Sequence, residues 1–254
     1  MSAVNKIALV TGGSRGLGNN MALRLAEKGY DVVITYHTNK QAAEKAMNEI
    51  KSKGKKAEAI QYDSSDFSSL DDFVQRFKDV LSTAWQTDKF DALINNAGIG
   101  ATIPFAQVTE ADFDKFLNIH FKSVYFLTQK LLPVMNDGGR IINISTGTTR
   151  FGVPGYSVYA SMKGAIEVFT RYLAKEIGER KITANVVAPG PIETDFNNAA
   201  IRNNPERKKI MASQTALGRT GVAEDIGGIV AFLCTEDAGW INGQRIEASG
   251  GINL

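Results

Sequence analysis

Tyr159 and Lys163 stand four positions apart at the start of a run in which Met162, Ile166, Phe169, Leu173 and Ile177 recur every three or four residues. That period predicts an amphipathic helix with one apolar stripe. On such a helix Tyr159 and Lys163 share one face. A phenol with an ordinary pKa of about 10 exchanges protons poorly at neutral pH. A fixed ammonium beside it favours the phenolate and lowers that value. A phenol tuned this way can exchange a proton with a carbonyl or alcohol oxygen. Alone, the match is cheap and fits a surface Tyr with a solvated Lys, so its meaning depends on the elements around it.

Those elements alternate. Ile7 to Val10 is apolar and runs into Thr11-Gly12-Gly13-Ser14-Arg15-Gly16-Leu17-Gly18, after which Leu17, Met21, Ala22 and Leu25 mark a helix. Glycines spaced Gly-x-x-x-Gly-x-Gly between strand and helix permit a tight turn and a close backbone approach to a diphosphate, with free N–H groups at the helix start. Further strands are expected at Val32 to Ile34, Ala57 to Tyr62, Ala92 to Ile94, Ile141 to Ile144, Ile182 to Val187 and Gln244 to Ala248. Helices are expected at Gln41 to Lys51, Phe67 to Trp85, Thr109 to Pro133, from Tyr159 onward and at Ile226 to Leu233, with Phe113, Phe116 and Leu117 on the apolar side of the fourth region. Alternation of this kind implies an α/β fold: one doubly wound Rossmann domain, a parallel sheet of about seven strands with helices on both faces. Ligands of such sheets bind outside the carboxyl ends of the strands. The Gly loop, Asn95 to Gly98, Ser145-Thr146 and Pro189-Gly190 should therefore converge on one crevice.

The second strand bears on the choice of dinucleotide. An NAD site places Asp or Glu at its end, on the ribose hydroxyls. Here the strand ends Thr35-Tyr36-His37-Thr38-Asn39-Lys40 without an acid. Arg15 can supply positive charge on that side, so NADP(H) is favoured over NAD(H). His37 and Lys40 read first as surface polarity.

Bulk properties exclude other classes. A net charge of +2 without a basic stripe interleaved with aromatics gives no nucleic-acid footprint. The single Cys234 rules out an internal disulfide and a cysteine-built zinc site, and no metal site is expected. The first apolar run is too short for a signal peptide, and no segment is long enough for a membrane span, which makes a cytoplasmic home the default.

Thr11-Gly12…Gly16-Leu17-Gly18, Asn95-Asn96-Ala97-Gly98, Tyr159-x-x-x-Lys163 and Pro189-Gly190 fall in order along the chain, and Asn242-Gly243-Gln244 through Gly250-Gly251 closes it. Over essentially its whole length the chain resembles the short-chain dehydrogenase/reductase family, most of all its β-ketoacyl-carrier-protein reductase type. The resemblance implies a hydride transfer between a nicotinamide and a carbonyl or secondary alcohol, with a 3-oxoacyl thioester as one substrate class. It implies that Tyr159 is the proton donor and acceptor, and that Lys163 lowers the phenol pKa and binds the nicotinamide ribose. Gly12, Ser14, Arg15, Gly16, Leu17 and Gly18 would hold the adenosine side, with Tyr36, His37, Thr38, Asp63 and Ser64 around the adenine and its ribose. Asn95, Ala97 and Gly98 would line the cofactor, and Pro189, Gly190, Ile192 and Thr194 would lie at the nicotinamide. A homotetramer through the helices of 109–133 and 159–177 is a further implication.

Two positions depart from the family pattern. The family's substrate-facing Ser falls on Thr146, with Ser145 adjacent; Thr keeps the hydroxyl but adds a methyl and a stiffer χ1. Either Thr146 takes the role or a small shift gives it to Ser145. The family's Asn that supports the Lys-linked water relay falls on His120, with Asn118 two residues earlier. A His can hydrogen-bond there as a partly buried structural group, or titrate near neutral pH. Residues 191–218 correspond to a mobile substrate lid, whose Arg202, Arg207, Lys208 and Lys209 read as solvated, or as a greeting to an acidic carrier protein. An NAD-dependent alcohol dehydrogenase of the same family, and a catalytically weak dinucleotide-binding sensor, are the competing readings.

Overall fold

Seven strands lie side by side and all run parallel, as expected. The computed structural model describes residues 5–254. The strands are β1 (Ile7–Val10), β2 (Asp31–Tyr36), β3 (Ala57–Gln61), β4 (Phe90–Asn95), β5 (Met135–Ile144), β6 (Thr183–Pro189) and β7 (Arg245–Ala248), in the spatial order β3-β2-β1-β4-β5-β6-β7. β1 and β6 are buried throughout, and β2 and β4 nearly so. Parallel strands covered on both faces must carry near-continuous apolar runs, which is why these segments lack alternation.

The covering helices are α1 (Gly16–Glu27), α2 (Lys40–Ser52), α3 (Leu70–Trp85), α4 (Glu110–Leu117), α5 (Ser123–Leu131), α6 (Ser157–Glu176), α7 (the single turn Phe196–Ala199), α8 (Pro205–Ser213) and α9 (Glu224–Leu233). Met21 and Leu25 of α1, Ile50 of α2 and Val230 of α9 pack on one face of the sheet. Phe73 and Phe77 of α3, Leu127 of α5 and Leu173 of α6 pack on the other. Phe77 meets Phe90 edge to face, with centroids 5.2 Å apart.

The 109–133 helix is not continuous. A π turn at Asn118–Lys122 separates α4 from α5. One extra residue per turn rotates the downstream face, so a single apolar stripe cannot run the whole length. Phe113, expected inside, is 46% exposed, and Phe116 is the one buried residue of α4.

The strand order reverses between β1 and β4, because the chain winds outward to β3 and then returns to the middle. The crevice at that switch point is where a doubly wound sheet binds its ligand.

Candidate active site

The cradle begins at the carboxyl end of β1. Gly12 and Gly16 adopt φ of +66° and +55°, a region L side chains rarely enter. Gly18 is needed for a different reason: a Cβ there would stand 2.2 Å from the carbonyl oxygen of Gly12. The loop is locked from below. Thr35 Oγ1 accepts from the Gly12 amide at 2.9 Å, and the Thr35 carbonyl accepts from Gly13 at 2.9 Å. Thr11 Oγ1 accepts from the amides of Asn96 and Ala97, each at 3.0 Å, joining the loop to the end of β4. The Asn96 side chain donates back to the carbonyls of Thr11 and Gly12. Helix α1 starts at Gly16 with no side-chain cap and no acid in its first turn. Its first N–H groups therefore point outward as an anion site. A glycine cradle at the start of an uncapped helix fits the diphosphate of a dinucleotide.

Arg15 and Ser14 lie on the rim of this cradle, and Leu17 packs inward against the core. Arg15 is exposed and makes no ion pair among the described residues. Tyr36 is half-buried at the end of β2, and Thr38 is exposed beyond it. His37, read as simple surface polarity, instead faces Asp63, with its Nε2 3.2 Å from Oδ2. The other oxygen of Asp63 accepts from the amide and hydroxyl of Ser65. Burial pushes the Asp63 carboxyl up, but the Ser65 hydrogen bonds and His37 outweigh it and hold the group below the usual range. Ser64 is half-buried between them. Across the crevice Thr194 faces Gly16, where a Cβ would come within 3.6 Å of its side chain, and Ile192 bridges to Gly221. Pro189 ends β6. Gly190 passes so close to Ser249 that a Cβ would fall 2.7 Å from its Cα.

The Asn95 side chain does not line this crevice. It is 4% exposed and donates to Asn143 Oδ1 at 2.8 Å and Thr128 Oγ1 at 3.1 Å. Asn143 in turn donates to Thr170 of α6. Asn95 therefore ties β4 to α5 and β5, while Asn96 and Ala97 of that motif are half-buried and Gly98 is exposed.

Helix α6 carries Tyr159 and Lys163. Tyr159 is 8% exposed and Lys163 is 5% exposed. Lys163 Nζ donates to the carbonyl of Ile144 at 2.7 Å and lies 5.8 Å from the Tyr159 ring centroid. Burial raises the Tyr159 pKa above its ordinary value, opposed by a hydrogen bond with the Thr146 side chain. This corrects the expectation of a Lys-lowered phenol: desolvation disfavours phenolate, and the ammonium is turned toward Ile144. Burial also lowers Lys163 to about 8.

The two candidate hydroxyls separate cleanly. Ser145 Oγ donates to Glu167 Oε1 at 2.7 Å, away from Tyr159. Thr146 is the residue whose side chain opposes the upward push of burial on the phenol. It also accepts from the Thr148 amide at 3.3 Å, capping a short turn at Gly147–Thr149.

His120 sits in the π turn and is fully buried rather than partly so. Its ring stacks on Phe116 and meets Tyr159 edge to face at 5.2 Å. Nε2 lies 2.9 Å from the carbonyl oxygen and 3.3 Å from the amide of Ile99, and Nδ1 has no partner. Burial, reinforced by the charge of Lys163, holds His120 well below its usual pKa. It is a neutral ring at physiological pH, not a group titrating near neutrality.

The segment 191–218 is partly tied down. Arg202 pairs with Asp195, and Lys208 with Glu193. Arg207 and Asn197 both donate to the Tyr156 hydroxyl, at 3.1 and 3.0 Å. Phe196 lies over the site, its centroid 6.0 Å from that of Tyr159.

Sequence reasoning missed Thr11, Thr35, Asn143, Glu167 and Arg245. Some left a signal. Thr35 and Asn143 are polar interruptions in apolar strands, and Glu167 follows Tyr159 and Lys163 at the same four-residue step along one face of α6.

Comparison with known proteins agrees with this geometry. Residues 12–253 match the family described as Enoyl-(Acyl carrier protein) reductase. The hydroxynaphthalene reductase-like protein Arp2 of Metarhizium brunneum (strain ARSEF 3297) is 35% identical over 261 residues, spanning 98% of this chain and 96% of that protein. Among solved structures, the promiscuous reductase LugOII, which catalyses keto-reduction at C1 during lugdunomycin biosynthesis, superposes with a TM-score of 0.94 at 35% identity over 100% of both chains. The angucycline C-6 ketoreductase LanV with bound NADP superposes with a TM-score of 0.93 at 35% identity, covering 98% of this chain and 96% of that one. With the glycine cradle, the Tyr159 and Lys163 face and the seven-stranded parallel sheet in place, the chain belongs to the short-chain dehydrogenase/reductase family of oxidoreductases.

Proposed function

We propose that the protein is an NADP(H)-dependent ketoreductase acting on a small aromatic ketone. The observation that carries this reading is the buried Tyr159 phenol with buried Lys163 on the same helix, its nitrogen 5.8 Å from the centroid of the phenol ring, and with Thr146 acting on the phenol. Bound NADPH would supply a hydride to the carbonyl carbon. Tyr159 gives its proton to the carbonyl oxygen, yielding the alcohol. Its burial keeps the phenol protonated, the state a reductase needs before each turnover. The Thr146 hydroxyl orients the same oxygen. Lys163, charged below about 8, places a buried cation behind the phenol and reaches toward the ribose. His120 acts as a neutral wall of the pocket.

NADP(H) is favoured over NAD(H) by Arg15 on the rim and by the absence of an acid at Tyr36, His37 and Thr38. The NADP bound by LanV supports the same choice. The aromatic preference rests on Tyr156 and Phe196, whose ring centroids lie 6.1 and 6.0 Å from that of Tyr159. Flat rings welcome a flat substrate by stacking. The name of Arp2, a hydroxynaphthalene reductase-like protein, points the same way, and LugOII and LanV are named for keto-reduction. Reduction of a 3-oxoacyl thioester on a carrier protein is the second reading. Its weight lies on the lid cations, of which Arg202 and Lys208 are already paired.

The chain acts as one catalytic unit with residues 191–218 as its lid, and as a homotetramer. An apolar groove of about 470 Å³ between α5 and α6, lined by Phe121, Tyr125, Val168, Phe169 and Tyr172, supports assembly there.

Titration with NADPH and NADH, followed by turnover of a bicyclic aromatic ketone and a 3-oxoacyl thioester, tests the proposal. Tight NADPH binding with turnover of the aromatic ketone is expected. NADH preference would overturn the cofactor assignment, and turnover of the thioester alone would transfer the substrate to the second reading.

A further inference from the structure

Behind Thr146 lies a charged network that the proton transfer itself does not use. Glu167 Oε1 accepts from Ser145 Oγ at 2.7 Å, Thr149 Oγ1 at 2.7 Å and Arg245 Nε at 2.8 Å. Arg245 Nη2 donates to the Thr146 carbonyl and to Thr149 Oγ1, each at 3.1 Å. The Glu167 and Arg245 side chains are 13% and 23% exposed. Arg245 is itself held by Glu247 Oε2 at 2.9 Å, and Glu247 is fixed by Arg150 and Ser249.

The geometry points to Glu167 and Arg245 as positioning residues that fix the backbone of Thr146, and with it the place of its hydroxyl relative to Tyr159. This rests on the reading of Thr146 as the substrate-orienting hydroxyl. Glu167 stands two helical turns beyond Tyr159 on the same face of α6. The loop bearing Thr146 is therefore referenced to the very helix that carries the proton donor. Ser145 on one side of Thr146 and Thr149 on the other end on the same carboxylate oxygen, and Arg245 pins the carbonyl between them. Thr146 cannot rotate its backbone without breaking charge-assisted bonds, which are the strong ones. The same contacts explain why Ser145 does not serve as the substrate hydroxyl: its only acceptor direction is toward Glu167. A ketone misplaced by about 1 Å can lose on the order of 10²-fold in rate.

The test is a double-mutant cycle. Arg245→Met and Glu167→Gln should each lower kcat by roughly 10- to 100-fold, with KM for NADPH and its directly measured affinity within about twofold. Arg245→Lys should restore part of the loss, since it keeps the charge but not the fork. Thr146→Val should also lower kcat. In the Thr146→Val background, Arg245→Met or Glu167→Gln should cost less than about twofold more. Losses that multiply in full would overturn the positioning role, as would a kcat loss that tracks a parallel fall in NADPH affinity and Tm. Unchanged kcat in Thr146→Val alone would instead overturn the assignment of Thr146. If Arg245→Met does not fold, Arg245→Lys and Glu167→Gln complete the cycle.

Discussion

The floor and the lid of this site are built to opposite specifications. In the floor, Asn95, Asn143, Ser145, Thr146 and Thr170 are all buried; hydrogen bonds run from Asn95 to Asn143 and on to Thr170 of α6, and from Ser145 to Glu167 of α6. In the lid, α8 buries none of its nine residues. Asn197, Asn198 and Ala199 sit in succession in the left-handed region, where non-glycine residues are strained. Over the site, Arg207 and Asn197 meet on the Tyr156 hydroxyl and Asn197 also donates to Thr102 Oγ1, while the far end of the segment is held by the backbone bonds of Ala216 and Leu217 to Gly251 and Gly250. Reacting groups must keep fixed distances, so they are set in a network in which every shift breaks several bonds. A surface that admits and releases different rings needs fewer and weaker ties.

The sharpest way to break this contrast is at the floor. Tyr159→Phe removes the proton donor and should lower kcat by about 10²- to 10⁴-fold, while fluorescence titration shows NADPH affinity within about twofold. Retained turnover would mean that another group delivers the proton.

Next in size is the hinge between cradle and floor. Thr11→Val leaves the amides of Asn96 and Ala97 without their shared acceptor. A stability loss of about 2–4 kcal/mol in urea unfolding and weaker NADPH binding are expected. A variant with wild-type stability would show that the cradle is not held through Thr11.

A smaller, pH-dependent effect isolates Lys163. Its pKa falls from 10.5 in the unfolded chain to about 8 in the fold. Between those values the unfolded chain binds more protons, so the stability of the cofactor-free protein rises as pH increases from about 8. Cys234, raised by burial from 9.0 to about 12, offsets part of this rise above pH 9, and Tyr159, raised above 10.0, opposes it further once the unfolded phenol begins to ionise. The rise between pH 8 and 10 should amount to a few °C in Tm, and Lys163→Met should abolish it. A rise that persists in that variant would place its source elsewhere.

The smallest effect should come from the lid. Phe196→Ala is expected to change KM for an aromatic ketone by roughly three- to tenfold, the scale of one stacked ring, with kcat and Tm nearly unchanged. An equal change for a non-aromatic ketone would show that Phe196 closes the site without reading the substrate.

Much of the fold was legible because its signals are local. Short apolar runs marked β1, β2, β4, β5 and β6, and glycine spacing marked the cradle. The segment 109–133 was only half legible. A π turn shifts the helical phase in the middle of the pattern, so Phe113 carried an apolar signal on the outer side. Among the site residues, Tyr159 and Lys163 were visible as a pair on one helix, and their burial together bears out the shared face. The state of the pair was not visible. Two neighbours on a helix say nothing of how much water is excluded around them, and here burial reversed the expected direction of the phenol's shift.

By itself the sequence determined the order of elements, the parallel sheet and the convergence of four motifs at one end of it. Each of these follows from apolar periodicity and from backbone positions that only glycine occupies freely. The tertiary structure decided that Ser145 turns to Glu167, 22 residues away, and that Asn95 turns to Asn143, 48 residues away. It also brought Arg245 to Glu167 across 78 residues, and it left His120 neutral. A polar side chain takes whichever partner the packed core places within about 3 Å, and pattern along the chain carries no record of that distance.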